Sequence, residues 1–382
     1  MRLFYLLFTL YGLSHIYVFV CLRRAFGGGK WQIPVLIWLT AMAVSWLWRF
    51  GRMPGPVGEK FQDISFCWMG FLVFLCYCLI AADLLALLSR LLAFATKGAW
   101  LREAAGHLVA PRYVPLAIAL ALVLFVYSLY EARNPRVLRL DIATAKLAPG
   151  ARPLRVAAVA DLHLSSLIGP RMLERMAGKI QALEPDVLLI SGDLVDTDMR
   201  LRHEDAAILR SIRAPMGKFA VSGNHESYHG LQMSLDFMKR SGLTVLRGQA
   251  VEVGGITIAG VDDGSFAGRF EPDSTDVLRV LSLIPEGRFV LLVNHKPYYP
   301  EAALGRFDLQ FSGHTHAGQF WPGELITKKI YRVEQGLNTL FGAKGSSLLF
   351  VTNGLGFWGP PIRFLAPPEI VLFTIRPEEP HP

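Results

Sequence analysis

Four apolar runs fill the first third of the chain, at residues 3–21, 31–48, 64–93 and 113–130, separated by basic or glycine-rich breaks. Each reaches or nearly reaches the ~20 residues that carry a helix across the hydrocarbon core of a bilayer. Tryptophans and tyrosines lie near several run ends, where an amphipathic ring suits the lipid–water interface. A cleaved signal peptide would account for the first run alone, but no small-residue cleavage site follows it and three more runs do. The expectation is a transmembrane region with about four spans over residues 1–130.

Charge is distributed to match. The net charge of +8 would suit nucleic acid if it lay on the soluble part, but it does not. Through Arg152 there are 16 Lys and Arg against 6 Asp and Glu, and from Pro153 onward 23 against 25. The basic excess flanks the apolar runs, so no broad nucleic-acid footprint is expected. All four cysteines, Cys21, Cys67, Cys76 and Cys78, fall in the apolar runs. They form no metal pattern in the remainder and do not fix a redox compartment.

Residues 131–153 are charged and proline-bearing, and read as a juxtamembrane linker. Over 154–377 short β-branched apolar runs alternate with helical stretches. RVAAVA, DVLLIS and KFAVS are each followed by an amphipathic segment, and ITIAGV, RFVLLV, DLQFS, SLLFVT and EIVLFTI follow later. That pattern predicts an α/β domain with helices over buried strands and a more β-rich second half.

The polar residues that close these runs sit at C-terminal strand ends, where open α/β sheets place ligands. Asp161 and His163 follow RVAAVA, Asp193 follows DVLLIS, Asn224 and His225 follow KFAVS, His295 follows RFVLLV, and His314 and His316 follow DLQFS. Singly, each is explained as well by a turn or a cap. Together they offer more nitrogen and oxygen donors than one tetrahedral metal needs, and suit two cations that share a bridging carboxylate. Such a pair retains a small positive charge after two aspartates and a hydroxide are counted, which fits an anionic phosphate ester.

The ordered blocks DLH (161–163), GD (192–193), GNHE (223–226), NH (294–295) and GHTH (313–316) resemble the calcineurin-like metallophosphoesterase family. The resemblance implies a two-sheet sandwich flanked by helices. It implies two divalent metal ions, among manganese, iron and zinc with manganese favoured. Asp161, His163 and His316 would bind the first ion, and Asn224, His295 and His314 the second. Asp193 would bridge them, and His225 would act on the substrate phosphate as the catalytic residue. GQFWP and the tail GLGFWGPPIRFLAPPEIVLFTI are similar to membrane-attached bacterial phosphoesterases akin to those that cleave the pyrophosphate of UDP-diacylglucosamine. Ser227 stands where that branch would carry an aromatic.

The implied function is hydrolysis of a phosphodiester or pyrophosphate bond, in a lipid-linked or nucleotide-sugar-lipid substrate, by a multi-pass protein of the inner or plasma membrane. A phosphomonoesterase or protein phosphatase could use the same residues, and a non-catalytic sensor or scaffold could keep the fold. With four spans the domain shares the side of the N-terminus. The basic first loop, with Arg23, Arg24 and Lys30, then puts the domain on the extracytoplasmic side.

Other residues carry weaker expectations. Gly313 is read as permitting a sharp turn before the two histidines. Glu226 is a candidate to orient a ligand, His229 reads as solvated, and Asp262 and Asp263 read as a turn. GGGK (27–30) reads as a hairpin between spans, and Asp83 as marking the end of the third span near Leu84. Phe266, Phe270, Phe320, Trp321, Phe357 and Trp358 read mainly as core.

Overall fold

The computed structural model describes residues 2–45, 56–96, 98, 100, 103, 110–197, 199–200, 202–264 and 274–378. It divides into two compact units, Met1–Leu129 with Gly359–Pro361, and Tyr130–Trp358 with Ile362–Pro382.

The first unit is helical: α1 (Arg2–Phe26), α2 (Gln32–Ser45), α3 (Pro56–Thr96) and α4 (Ala110–Ala132) occupy the four apolar runs. Among the described residues, two helices are long and apolar enough to cross a membrane, Val57–Thr96 and Pro111–Ala132, with hydropathies of 2.6 and 2.1. This corrects the four-span expectation. Among the described residues α2 is a shorter apolar helix of 14 residues. Helix α1 is continuous but carries Ser14 and His15 within its apolar stretch and Arg23 and Arg24 in its last turn. The end of the second expected span, residues 46–48, lies outside the described residues, as do Phe266 and Phe270.

Asp83 does not end a span. It lies inside α3, and its carboxylate accepts hydrogen bonds from the hydroxyls of Tyr17 on α1 and Tyr113 on α4. An acid in an apolar helix is expensive unless paired, and two phenol donors meet that need.

The second unit is an α/β sandwich of two six-stranded sheets. The first sheet runs β1 (Arg136–Thr144), β12 (Glu369–Pro377), β2 (Leu154–Val159), β3 (Val187–Ser191), β4 (Lys218–Val221) and β5 (Thr244–Val245). The second runs β10 (Gly336–Gly342), β11 (Gly345–Val351), β9 (Leu309–Ser312), β8 (Phe289–Val293), β7 (Ile256–Gly260) and β6 (Gln249–Val253). Strands β2 to β5 are mutually parallel, as are β7, β8 and β9.

Alternation along each strand builds three apolar layers. In β2, Val156 and Ala158 face the other sheet and join Leu189, Ile258, Leu291, Phe311, Phe350 and Phe373. Ala157 and Val159 point outward, where Leu173, Met176 and Ile180 of α5 (Pro170–Gln181) and Leu209 of α6 (His203–Ser211) cover them. The outer face of the second sheet is covered by Val277, Val280 and Leu281 of α7 (Ser274–Ser282). Strands buried on both faces need no polar alternation, which is why they read as unbroken apolar runs.

The stretch expected to be linker carries a nine-residue strand. From Arg136↔Glu369 to Thr144↔Pro377, β1 pairs in parallel with β12, which places β12 inside the sheet rather than at its edge. Five of the nine residues of β1 are exposed, among them the charged Arg136, Arg139 and Asp141, and such an edge strand resembles a charged linker when read by composition alone.

Candidate metal centre

Parallel strands place their C-terminal ends on one side of a sheet. Strands β2, β3 and β4 of the first sheet and β8 and β9 of the second deliver all eight sequence-predicted residues to one cluster. Asp161, His163, Asp193, Asn224, His225, His295 and His316 are each less than a tenth exposed, and His314 is partly buried.

Two donor groups form. In one, the ligand atoms of Asp161, His163 and His316 lie within 4.8 Å of one another. His316 Nε2 is 3.0 Å from His163 Nε2 and 3.7 Å from Asp161 Oδ1. In the other, Asp193, His295 and His314 meet the same limit. His295 Nε2 lies 3.2 Å from Asn224 Oδ1 and 3.2 Å from His314 Nδ1. Asp193 connects the groups through a single oxygen: Oδ2 is 3.2 Å from His295 Nε2 and 3.8 Å from His163 Nε2. Its other oxygen accepts the backbone N–H of His225 at 2.8 Å.

This arrangement fits two divalent cations. Converging imidazole nitrogens and carboxylate oxygens, buried with few protons to share, are a donor set that a cation completes. Electrostatics agrees at His163, His314 and His316; at His295 burial favours the neutral ring, but Asp193 outweighs it and raises the pKa to about 10. Burial, reinforced by neighbouring imidazoles and by Arg363, drives the pKa values of His314 and His316 well below the usual imidazole value. Burial and the charge of His225 take His163 down to about 3. Neutral imidazole is the form that binds metal. Burial pushes the Asp161 carboxyl up to about 7, a state in which a cation would replace the proton.

Backbone strain concentrates here. Asp161, His163, Asp193, His314 and His316 all have positive φ, between 48° and 71°. Such conformations are unfavourable for side chains with a Cβ and persist only where the surroundings over-determine them. Glycines make the packing possible. Gly313 does not have positive φ, so the sharp-turn expectation is corrected: a Cβ there would collide with Ala160 and the Asp161 carboxylate. A side chain at Gly192 would meet His295 Nδ1 at 2.7 Å.

A surrounding shell fixes these residues. Glu226 accepts the backbone N–H groups of Asp193, Leu194, Val195 and Gly223 at 2.6–3.1 Å, tying the β3 and β4 loops together. Burial and Asp193 raise its pKa to about 7, while the amide donors oppose that shift. His295 Nδ1 donates to the Ser191 carbonyl at 2.8 Å. His163 Nδ1 has no protein partner among the described residues.

The sequence reading missed two residues. Asp196, three positions after Asp193, receives His225 Nδ1 at 2.8 Å and His229 Nε2 at 3.0 Å. His229 is therefore not simply solvated. Burial disfavours the Asp196 charge, but those two hydrogen bonds outweigh it and hold the carboxyl well below its usual range. Burial also opposes the His225 cation, yet Asp193 and Asp196 raise its pKa. Arg363, fully buried, grips His316: one guanidinium nitrogen lies 2.9 Å from Nδ1 and another donates to the His316 carbonyl at 2.9 Å. It also donates to the carbonyls of Gly356 and Ala366. The only sequence signal for Arg363 is an isolated cation in the apolar, proline-rich tail.

Asp263 forms a buried ion pair with Lys296 at 3.1 Å rather than a simple turn. Phe357 is core, as expected, whereas Trp321 and Trp358 are about half exposed. The rings of Tyr228 and Trp358 stand 5.4 and 5.9 Å from that of His225.

A calcineurin-like phosphoesterase family model matches residues 154–318. An uncharacterized metallophosphoesterase of Aquifex aeolicus is 37% identical over 259 residues, covering 67% of this chain and 98% of that protein. One of Helicobacter pylori is 32% identical over 229 residues, 59% of this chain and 61% of its own length. A transmembrane protein with metallophosphoesterase domain from Danio rerio is 28% identical over 361 residues, 91% of this chain and 80% of the relative.

Proposed function

The chain belongs to the calcineurin-like metallophosphoesterases, and from that premise we propose that it is a membrane-anchored hydrolase cleaving a phosphodiester or pyrophosphate bond. That it is a metal-dependent phosphoesterase follows from the family. The observation that carries the finer reading is the single Asp193 oxygen shared by two donor groups.

In this reading Asp161, His163 and His316 would hold one ion, Asn224, His295 and His314 would hold the other, and Asp193 would be shared between them. Two divalent ions bound there would supply Lewis acidity and acidify a water near neutral pH, with manganese the favoured metal. The protein's own groups do the rest. The left-handed backbone at Asp161, Asp193 and His316 aims donors inward without adjustment during turnover. His225 Nε2 lies 3.9 Å from Asp193 Oδ2, where it could reach a phosphate held at the centre, while Nδ1 is fixed by Asp196. As the P–O bond to the leaving group breaks and a P–O bond to the attacking water forms, that water gives up its proton to solvent and protonated His225 donates to the departing oxygen.

Membrane anchoring is supported by the two long apolar helices and by relatives named as transmembrane proteins in Danio rerio and Bos taurus. Anchoring favours a multi-pass protein acting on a lipid-linked phosphate ester. The near-neutral charge of the catalytic region argues against nucleic acid. An extracytoplasmic domain would be removed by protease added to cells with a permeable outer layer; full protection would reverse that orientation.

The deciding experiment is hydrolysis of bis(p-nitrophenyl) phosphate by the purified full chain, with EDTA and manganese add-back. Activity abolished by EDTA, restored by manganese and missing from D193N supports the proposal. Metal-loaded protein inactive on this and on every lipid-linked phosphate tried would sink it.

A further inference from the structure

The catalytic unit carries a basic cavity whose lining includes none of the metal-centre residues. A cavity of about 390 Å³ in the catalytic unit is lined by Arg133, Arg171 and Arg175, with Glu204 on its wall and Leu167 and Met172 as apolar lining. Three guanidiniums against one carboxylate leave a net formal charge of +2. Arg171 and Arg175 are one turn apart on α5, so both side chains project over the same face. Among the described residues neither forms an ion pair with an acid. Like charges at this spacing oppose each other, and a bound anion would relieve that opposition.

Position identifies the anion. Arg133 is the first residue after the apolar helix Pro111–Ala132. Where that helix crosses a bilayer its end reaches the headgroup layer, and chain connectivity keeps Arg133, the next residue, close to that layer. Guanidinium forks match phosphate oxygens in pairs, and the apolar lining suits the glycerol end of a lipid better than a free ion. We propose that this cavity binds the phosphate headgroup of an anionic phospholipid and seats the catalytic unit against the membrane surface. The inference rests on the membrane reading of Pro111–Ala132 and is independent of the metal centre.

The test uses the full chain in neutral detergent with EDTA, so that the metal centre takes no part. Its thermal midpoint is followed while dioctanoyl phosphatidylglycerol, dioctanoyl phosphatidylcholine or inorganic phosphate is added. We expect a saturable rise with phosphatidylglycerol and little with phosphatidylcholine. In R171Q/R175Q the half-saturating concentration rises by about tenfold or more, since each basic residue near an anionic surface contributes roughly fivefold. Both residues are exposed, and the double variant keeps its lipid-free midpoint and its manganese-dependent hydrolysis of a soluble diester. An unchanged titration in R171Q/R175Q, or an equal response to phosphatidylcholine, overturns the site. A phosphate response matching that of phosphatidylglycerol, and lost in the variant, overturns the lipid assignment in favour of a free phosphate ion.

Discussion

His225 Nδ1 and Asp196 Oδ1 stand 2.8 Å apart, with both side chains largely buried and the opposite ring nitrogen of His225 turned toward Asp193. Burial by itself would favour neutral imidazole; Asp193 and Asp196 reverse that and raise the His225 pKa. A proton donor must be charged before it gives up its proton, so a raised pKa extends activity toward alkaline pH. In D196N the pKa falls and the alkaline limb of the kcat–pH profile moves to lower pH. The rate at the optimum drops about 10- to 100-fold, the lower part of the range for a general acid. Metal content stays at the wild-type level, which separates this effect from loss of the centre.

Asp193 gives the sharpest metal prediction, because its one oxygen faces both donor groups. D193N keeps the shape but loses the charge that offsets two cations. We expect elemental analysis of the purified variant to show less than half the wild-type metal, and hydrolysis to fall by about a thousandfold, in line with losing electrostatic stabilisation of the transition state. Full metal content with full turnover would show that Asp193 does not bridge.

Much of this centre is readable in the sequence because each block ends an apolar strand. DLH, GD, GNHE, NH and GHTH mark the C-terminal ends of β2, β3, β4, β8 and β9, and parallel order brings those ends together. Residues that act through contacts distant in sequence leave no such mark. Arg363 meets His316 across 47 positions, and nothing in PPIRFLAPP announces that contact. Asp196 is one acid in a loop where several polar residues would serve. Strand β1 escaped notice for another reason: an edge strand with arginines at positions 136 and 139 has the composition of a linker.

Arg363 tests how far the supporting shell sets the centre. Its guanidinium is pushed down to about 10 by burial, partly offset by Asp161, and so remains charged near neutral pH. R363M leaves the carbonyls of His316, Gly356 and Ala366 without their donor inside the protein. Unfolding stability should fall by about 3–5 kcal/mol, the range for breaking a buried charged network. R363K restores one cation but not the fork, and recovers only part of that loss. In both variants the ion held by His316 should be lost at lower chelator concentration than in wild type. Equal chelator sensitivity would confine Arg363 to folding.

The pairing of β1 with β12 predicts where a soluble fragment can begin. A fragment of residues 154–378 removes β1 and exposes the whole nine-residue edge of β12, whose Ile370, Leu372 and Phe373 are buried in the intact sheet. An unprotected apolar edge recruits other chains, so this fragment should aggregate on purification. A fragment of residues 134–378 retains the covering strand with its exposed arginines and should elute as a defined species with cooperative unfolding. Size-exclusion chromatography with thermal melts of the two fragments separates the cases. Equal behaviour would mean that β12 is protected without β1, and that the catalytic unit begins at Leu154 after all.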